Sequence, residues 1–152
     1  MNKKLFSVAL ALILGAVIAL QAFGQAKPEV LVRQRQAAMT LMGKYFGPLA
    51  AMAQGRVPYE SNVVARNAGY LDALSKMPWD GFDPITKNQK AGALPAVFTE
   101  TAKFKEIQDR LKSEIGRLVS VSNGNDEAAG KAQINAVGKT CGNCHDSFRE
   151  KK

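Results

Sequence analysis

The segment Cys141-Gly-Asn-Cys-His145 constrains the fold of this chain more than any other feature. It contains both cysteines and the only histidine among 152 residues. On an α-helix, residues three and four positions apart lie on the same face, so Cys141, Cys144 and His145 would project together. A helix through this segment would therefore offer two thiols and one imidazole to a single ligand.

Three kinds of chemistry use Cys-x-x-Cys. A redox dithiol stands where a strand enters a helix N-terminus, which lowers the pKa of a thiol, whereas this motif lies near the end of a helical segment. A structural zinc site needs four ligands, and some would have to be carboxylates here. Cys-x-x-Cys-His is the signature of covalent haem attachment. We therefore predict haem c, one per chain, bonded to Cys141 and Cys144, with His145 as the proximal axial iron ligand.

The far side of that iron has few candidate ligands. No second histidine exists, so the sixth ligand is a methionine, less readily a lysine, or nothing. Four methionines follow the N-terminal segment: Met39, Met42, Met52 and Met77. Filling gaps in the core is the ordinary role of methionine on an apolar helix face, and most of the four should do only that.

The N-terminal residues have the pattern of a secretory signal peptide. Lys3 and Lys4 precede an apolar run, residues 5–20, and the small-residue stretch Gly24-Gln25-Ala26 follows. We predict cleavage after Ala26, or alternatively after Gly24, giving a signal peptide over 1–26 and a mature domain over 27–152. An uncleaved membrane anchor is the alternative. Because haem c is attached outside the cytoplasm, we expect a periplasmic protein with no membrane association after cleavage.

The charge balance is basic. The 21 Lys and Arg residues less Lys3 and Lys4 leave 19 cations against 13 anions, a formal +6 for the mature domain. These cations are scattered, and an exported protein meets little nucleic acid, so we expect no nucleic-acid partner. The charge instead suits a solvated surface or docking of an acidic redox protein, whose identity the sequence does not give.

Four segments have helical periodicity, and no useful strand-like alternation is present. Short turns join the first segment to the second and the third to the fourth, so these pairs should be antiparallel. We predict an all-α fold, an up-down-up-down antiparallel four-helix bundle with one covalently bound haem. Asn123, Asn125 and Asp126 are candidate N-caps for the last helix. The predicted helices span about Glu29 to Gln54, Glu60 to Lys76, Pro95 to Val121 and Asp126 to Lys151.

Two features depart from regular helix. Pro48 lies inside the first predicted helix and should bend it near Gly47. The 18-residue segment Met77 to Leu94 is rich in Pro and Gly and contains the only tryptophan. Long loops in compact domains are commonly functional or disordered. Trp79 and Phe82 should therefore pack against something, either the site or the end of the bundle.

The residues resemble a known family over the whole mature chain. The similarity is carried by Arg35–Met42 on the first helix, Pro-Tyr-Glu at the start of the second, Met77–Phe82 in the long loop and Cys141–Arg149 at the end. This arrangement looks like the class II c-type cytochromes, and cytochrome c′ in particular. The resemblance implies a homodimer with a five-coordinate haem that binds NO and CO, credited with nitric oxide scavenging and with electron transfer rather than ordinary catalysis.

The same resemblance implies roles for pocket residues. Met39 would occupy the distal face, Trp79 and Phe82 would wall the haem pocket, and Arg149 would lie over the proximal side. Arg35 would lie near a haem propionate. Independently, a cation on an apolar seam is costly unless it is paired, although a long side chain can also extend to solvent.

Two alternatives compete with the five-coordinate reading. Low-spin relatives of the fold use a methionine at the position of Met39 as a sixth ligand, which would make this chain a Met39/His145 electron-transfer cytochrome. A haem-free helical interaction module is the other class.

Overall fold

The structure is a computed structural model that describes residues 26–124 and 126–151. Within these ranges the chain is helical, and its one bridge of β type joins Ala93 to Arg149. Four long helices form an antiparallel bundle, which confirms the predicted fold. The helices are α1 Pro28–Ala53, α2 Ser61–Leu74, α3 Ala96–Thr99, α4 Thr101–Ser122 and α5 Glu127–Phe148, with two 3₁₀ turns at Trp79–Phe82 and Pro84–Thr86.

The predicted signal peptide, residues 1–26, lies outside the described residues apart from Ala26, and it stays a prediction. No helix within the described ranges combines the length and apolarity that crossing a membrane requires. Asn125 also lies outside them. Of the predicted N-caps, Asp126 accepts a hydrogen bond from the Ala129 N–H at 2.9 Å and caps α5.

The predicted third helix is two helices. The helix is interrupted at Glu100, whose backbone dihedrals of φ −106° and ψ 48° are not helical. α3 and α4 are therefore separate helices. The prediction of one helix from Pro95 was wrong at this point. The apolar residues keep their helical spacing on both sides of Glu100, so the sequence pattern does not reveal a single non-helical residue. Pro48 does lie inside α1, and the helix continues through it.

The last helix is shorter than predicted. It ends at Phe148, and Arg149 is extended at φ −119° and ψ 137°. The backbone there pairs with the long loop, since the Leu94 N–H donates to the Phe148 carbonyl and the Glu150 N–H donates to the Gly92 carbonyl, each at 3.0 Å. These bonds satisfy backbone donors and acceptors of the extended chain, so the helix ends at Phe148. They also tie the loop to the end of α5.

The core is the common inner face of the four long helices. Its fully buried members include Leu49, Leu71, Ile115, Leu118 and Ile134, one or two from each helix. A smaller apolar cluster of Val97, Phe104 and Phe148 lies beneath the long loop. On α1 the side that faces the other helices is not uniformly buried: Val32, Met42 and Leu49 are buried, whereas Met39 and Phe46 are partly buried.

Candidate functional site

Cys141, Cys144 and His145 line the same cavity, as their spacing on α5 predicts. The cavity has a volume of about 760 Å³, within the range of roughly 300–1,000 Å³ that ligand pockets occupy. α1 forms the wall opposite α5, the loop forms one end, and Leu71 of α2 and Leu111 and Ile115 of α4 close the interior. A largely apolar cavity of this size fits a flat aromatic cofactor.

Burial controls the chemistry of the three motif side chains. It raises the pKa of the Cys141 thiol, and burial together with the neighbouring Cys141 raises the pKa of Cys144 to about 11. Burial and the charge of Arg149 lower the pKa of His145. Both thiols are therefore protonated and the imidazole neutral near pH 7. A reactive dithiol needs a depressed thiol pKa, whereas a neutral imidazole is the form that ligates a metal.

A zinc site finds no support in the same region. Among the described residues, no group of three or more Cys, His, Asp or Glu side chains lies close enough to hold a metal ion. The two cysteines are not joined by a disulfide. The Cys141–His145 motif thus offers the cavity two free thiols and one neutral imidazole, which fits covalent haem with one imidazole ligand to iron.

Arg35 is buried at the loop end of the cavity, with 4% of its surface exposed. Its Nη1 donates to the Gly81 carbonyl and its Nη2 donates to the Ala91 carbonyl at 3.4 Å. Burial lowers the pKa of its guanidinium. None of the ion pairs found in the described ranges includes Arg35. The site therefore holds a buried cation whose charge no carboxylate of the described residues neutralises.

Trp79 and Phe82 form the loop wall of the cavity. Their rings stack with centroids 6.1 Å apart, and Phe82 meets Phe104 edge-on at 4.9 Å. Phe104 in turn contacts Phe148 at 5.0 Å. This aromatic series connects the loop to the second apolar cluster, so both predicted aromatic residues reach the cavity as well as the end of the bundle.

The four predicted methionines differ in their position relative to the cavity. Met39 is half-buried and lines the cavity, and Met42 lines it as well but belongs to the core. Met52 is buried away from the cavity, and Met77 is 58% exposed. Met39 and Met42 are thus the methionines that share the cavity with His145, and Met39 is the less constrained by core packing.

Arg149 is an exposed residue at the mouth of the cavity. Its positive charge helps to lower the pKa of His145 and partly opposes the rise in the pKa of Cys144. Arg149 therefore lies close enough to the imidazole to act on it electrostatically, and its place over the proximal side of the haem stays a prediction. Residues 91–93 and 150–151 also reach the cavity, and nothing in their sequence signals it.

Several apolar residues of the predicted helices line the cavity although the sequence did not assign them to the site. Phe46, Leu71, Ile115 and Val137 are the main examples. Helical periodicity identifies residues that face inward, but it does not distinguish core from cavity wall. A gap between helices becomes visible only when the helices are packed together.

Comparison with known proteins gives a consistent result. The family model described as Cytochrome C′ matches residues 30–149. Cytochrome c′ of Rubrivivax gelatinosus is 38% identical over 126 residues, which cover 82% of this chain and 98% of that protein. Its crystal structure at pH 8.0 superposes with a TM-score of 0.78 at 36% identity, over 82% of this chain and 98% of that chain.

Two structures of cytochrome c′ from Alcaligenes xylosoxidans are also similar. A ferrous variant with bound NO has a TM-score of 0.77 and 34% identity, over 84% of this chain and 99% of that chain. A carbon monoxide-bound variant has a TM-score of 0.76 and 34% identity, over 83% of this chain and 98% of that chain. With the helical bundle and the Cys-Cys-His cavity described above, these matches show that the chain belongs to the cytochrome c′ family and that its cofactor is haem c.

Proposed function

We propose that this protein holds a five-coordinate haem that binds small neutral gases, NO and CO. Cys141 and Cys144 form the thioethers, and His145 is the proximal iron ligand. When bound, haem supplies an iron centre that takes up diatomic gases. The observation that carries the proposal is the single imidazole, beside two free thiols, in an otherwise largely apolar cavity.

Three side chains that line the cavity donate hydrogen bonds within the protein. Trp79 Nε1 donates to the Ser75 carbonyl at 2.6 Å, and Thr40 Oγ1 donates to the Gln36 carbonyl at 2.8 Å. Arg35 donates to two loop carbonyls. The polarity and donors of the distal pocket decide how a haem ligand is held. Because these three donors are engaged elsewhere, they do not stabilise bound dioxygen, which favours NO and CO as ligands.

Relatives support this choice of ligand. The Alcaligenes xylosoxidans structures contain NO in one case and carbon monoxide in another. This chain is 34% identical to both. We assign no catalytic residue.

Arg35 has a second partner in this proposal. A buried guanidinium without a counter-ion is unfavourable, and a haem propionate would neutralise it at the loop end of the cavity. Gly81 and Ala91 already fix the guanidinium in place through their carbonyls. Arg35 therefore orients the haem, Trp79 and Phe82 cover its loop side, and Arg149 lies beside the proximal imidazole.

The alternative is a six-coordinate electron-transfer cytochrome in which Met39 and His145 both bind iron. The observation that favours it is the position of Met39, which is half-buried, lines the cavity and packs against the core. In this reading the haem has no open coordination position, and gas binding is lost.

The physiological role follows as part of the same proposal. An exported gas-binding haem protein suits nitric oxide scavenging or tolerance in the periplasm, alone or together with electron transfer to a redox partner protein.

A homodimer would use the outer faces of α1 and α2. There Tyr45 and Tyr70 pack with ring centroids 4.7 Å apart, and Leu41 and Tyr70 are 40% and 45% exposed.

The deciding experiment is optical spectroscopy of the reduced, haem-loaded protein with and without CO. A high-spin ferrous spectrum that changes on addition of CO or NO is expected. A low-spin ferrous spectrum that CO leaves unchanged would overturn the five-coordinate proposal. A sulfur-to-iron charge-transfer band in the ferric protein that is lost in Met39→Leu would establish the alternative. Sedimentation of the same sample tests the dimer.

A further inference from the structure

Phe46 rests on the backbone of the opposite helix at Gly138. A Cβ atom placed at Gly138 would lie 3.1 Å from Cζ and 3.5 Å from Cε1 of Phe46. The first distance is tighter than ordinary van der Waals contact, so glycine makes room for the ring. Gly138 lies on α5 three residues before Cys141, so the ring packs beside the haem-attachment face.

Phe46 also closes one end of the α1 wall. Along α1 the residues that line the cavity begin at Arg35 and end at Phe46, with Met39 between them. Phe46 packs against the core cluster whose members Leu71, Ile115 and Val137 line the cavity too. The cavity therefore has a charged end at Arg35 and an apolar end at Phe46.

We propose that Phe46, seated on Gly138, sets the size limit of the apolar end of the cavity and so selects for small diatomic ligands. The inference rests on the proposed gas-binding function. Removing part of a large buried side chain leaves a void that the surroundings fill only in part. A smaller residue at position 46 would therefore admit longer ligands without changing how iron is held.

The test uses neutral iron ligands of increasing length on the reduced, haem-loaded protein: CO, methyl isocyanide and n-butyl isocyanide. In Phe46→Leu, we expect the association rate of n-butyl isocyanide relative to that of CO to rise by about tenfold, the effect of small volume changes in an apolar pocket. Phe98→Leu is the matched control, because Phe98 is also partly buried but packs in the second cluster and does not line the cavity.

A second measurement tests the seat itself and does not depend on ligand binding. Gly138→Ala should lower the thermal unfolding midpoint in the Phe46 background and should not lower it in the Phe46→Leu background, since the shorter side chain relieves the contact. Gly116→Ala on α4 is the control, because a Cβ there meets nothing within 4 Å. Equal effects of Gly138→Ala in both backgrounds would show that Phe46 does not pack tightly on Gly138.

The outcomes separate this inference from the function on which it rests. If the reduced wild-type protein binds no CO, the gas-binding proposal fails. If it binds CO and Phe46→Leu keeps the wild-type ratio of n-butyl isocyanide to CO rates, gas binding stands and the size limit is overturned.

Discussion

The guanidinium of Arg35 lies over the ring of Phe82, with its central carbon 4.4 Å from the ring centroid. The same side chain donates to the carbonyl of Gly81 next to that ring. A residue of α1 thus holds the loop residues that wall the cavity, by a cation–π contact and a hydrogen bond together. If Arg35 pairs with a haem propionate as proposed, loading of the cofactor and ordering of the loop would be linked through this one side chain.

Replacing Arg35 with Met should destabilise the haem-loaded protein. The substitution keeps an apolar stem of similar length but removes the two loop hydrogen bonds and the proposed propionate partner. We expect a loss of about 2–3 kcal/mol in the free energy of unfolding, since hydrogen bonds from a charged group contribute roughly 1.5–3 kcal/mol. Denaturant titration followed by the haem absorption measures it.

Arg33→Met provides the control for that experiment. Arg33 is two residues away on α1 and exposed, and surface substitutions usually change stability by less than about 0.5 kcal/mol. Equal losses in the two variants would contradict a special role for Arg35.

Gly81→Ala should displace the loop. A Cβ at Gly81 would meet the Arg35 side chain and would come within 2.7 Å of the Leu31 carbonyl oxygen. Because backbone cannot yield as a flexible side chain can, we expect a loss of about 1–3 kcal/mol, the usual cost of overpacking. Thermal unfolding measures the loss, and altered tryptophan emission would report displacement of Trp79.

Gly69→Ala is the comparison for this variant. It adds the same methyl group within α2 where nothing lies within 4 Å, and alanine is favoured over glycine inside a helix by about 0.5–1 kcal/mol. The two variants should therefore change stability in opposite directions.

Met39→Leu should preserve CO binding. Leucine has a similar volume, and volume-conserving apolar exchanges typically cost less than about 1.5 kcal/mol. In the five-coordinate protein the ferric and ferrous spectra should change little, because leucine replaces a side chain that does not bind iron. Met42→Leu, the other cavity methionine, is the control. Loss of a sixth ligand in Met39→Leu alone would support the alternative function.

Replacing both Cys141 and Cys144 with Ala should abolish covalent haem retention. Haem staining of a denaturing gel should then show no haem band with the protein, while each single variant keeps one thioether. The alkaline pyridine haemochrome band of each single variant should shift, because one vinyl group stays unsaturated. A haem band in the double variant would rule out attachment at these two residues.

The sequence by itself determined the bundle and the donor set. Apolar residues recurring every three or four positions predict four inward-facing helix stripes, and Cys141, Cys144 and His145 share a face because helical geometry is local. The family resemblance pointed to Arg35, Met39, Trp79, Phe82 and Arg149, and all five reach the cavity. Local spacing also placed Asp126 as an N-cap, which its hydrogen bond to Ala129 confirms.

Only the tertiary structure decided where the helices leave a cavity and what closes it. The end of α5 at Phe148 depends on hydrogen bonds to loop residues more than 50 positions earlier in the chain, which no local pattern encodes. Likewise, Phe46 and Gly138 meet only because α1 and α5 pack side by side. Periodicity reports which side of a helix avoids water, whereas cavity shape depends on how four such sides fit together in three dimensions.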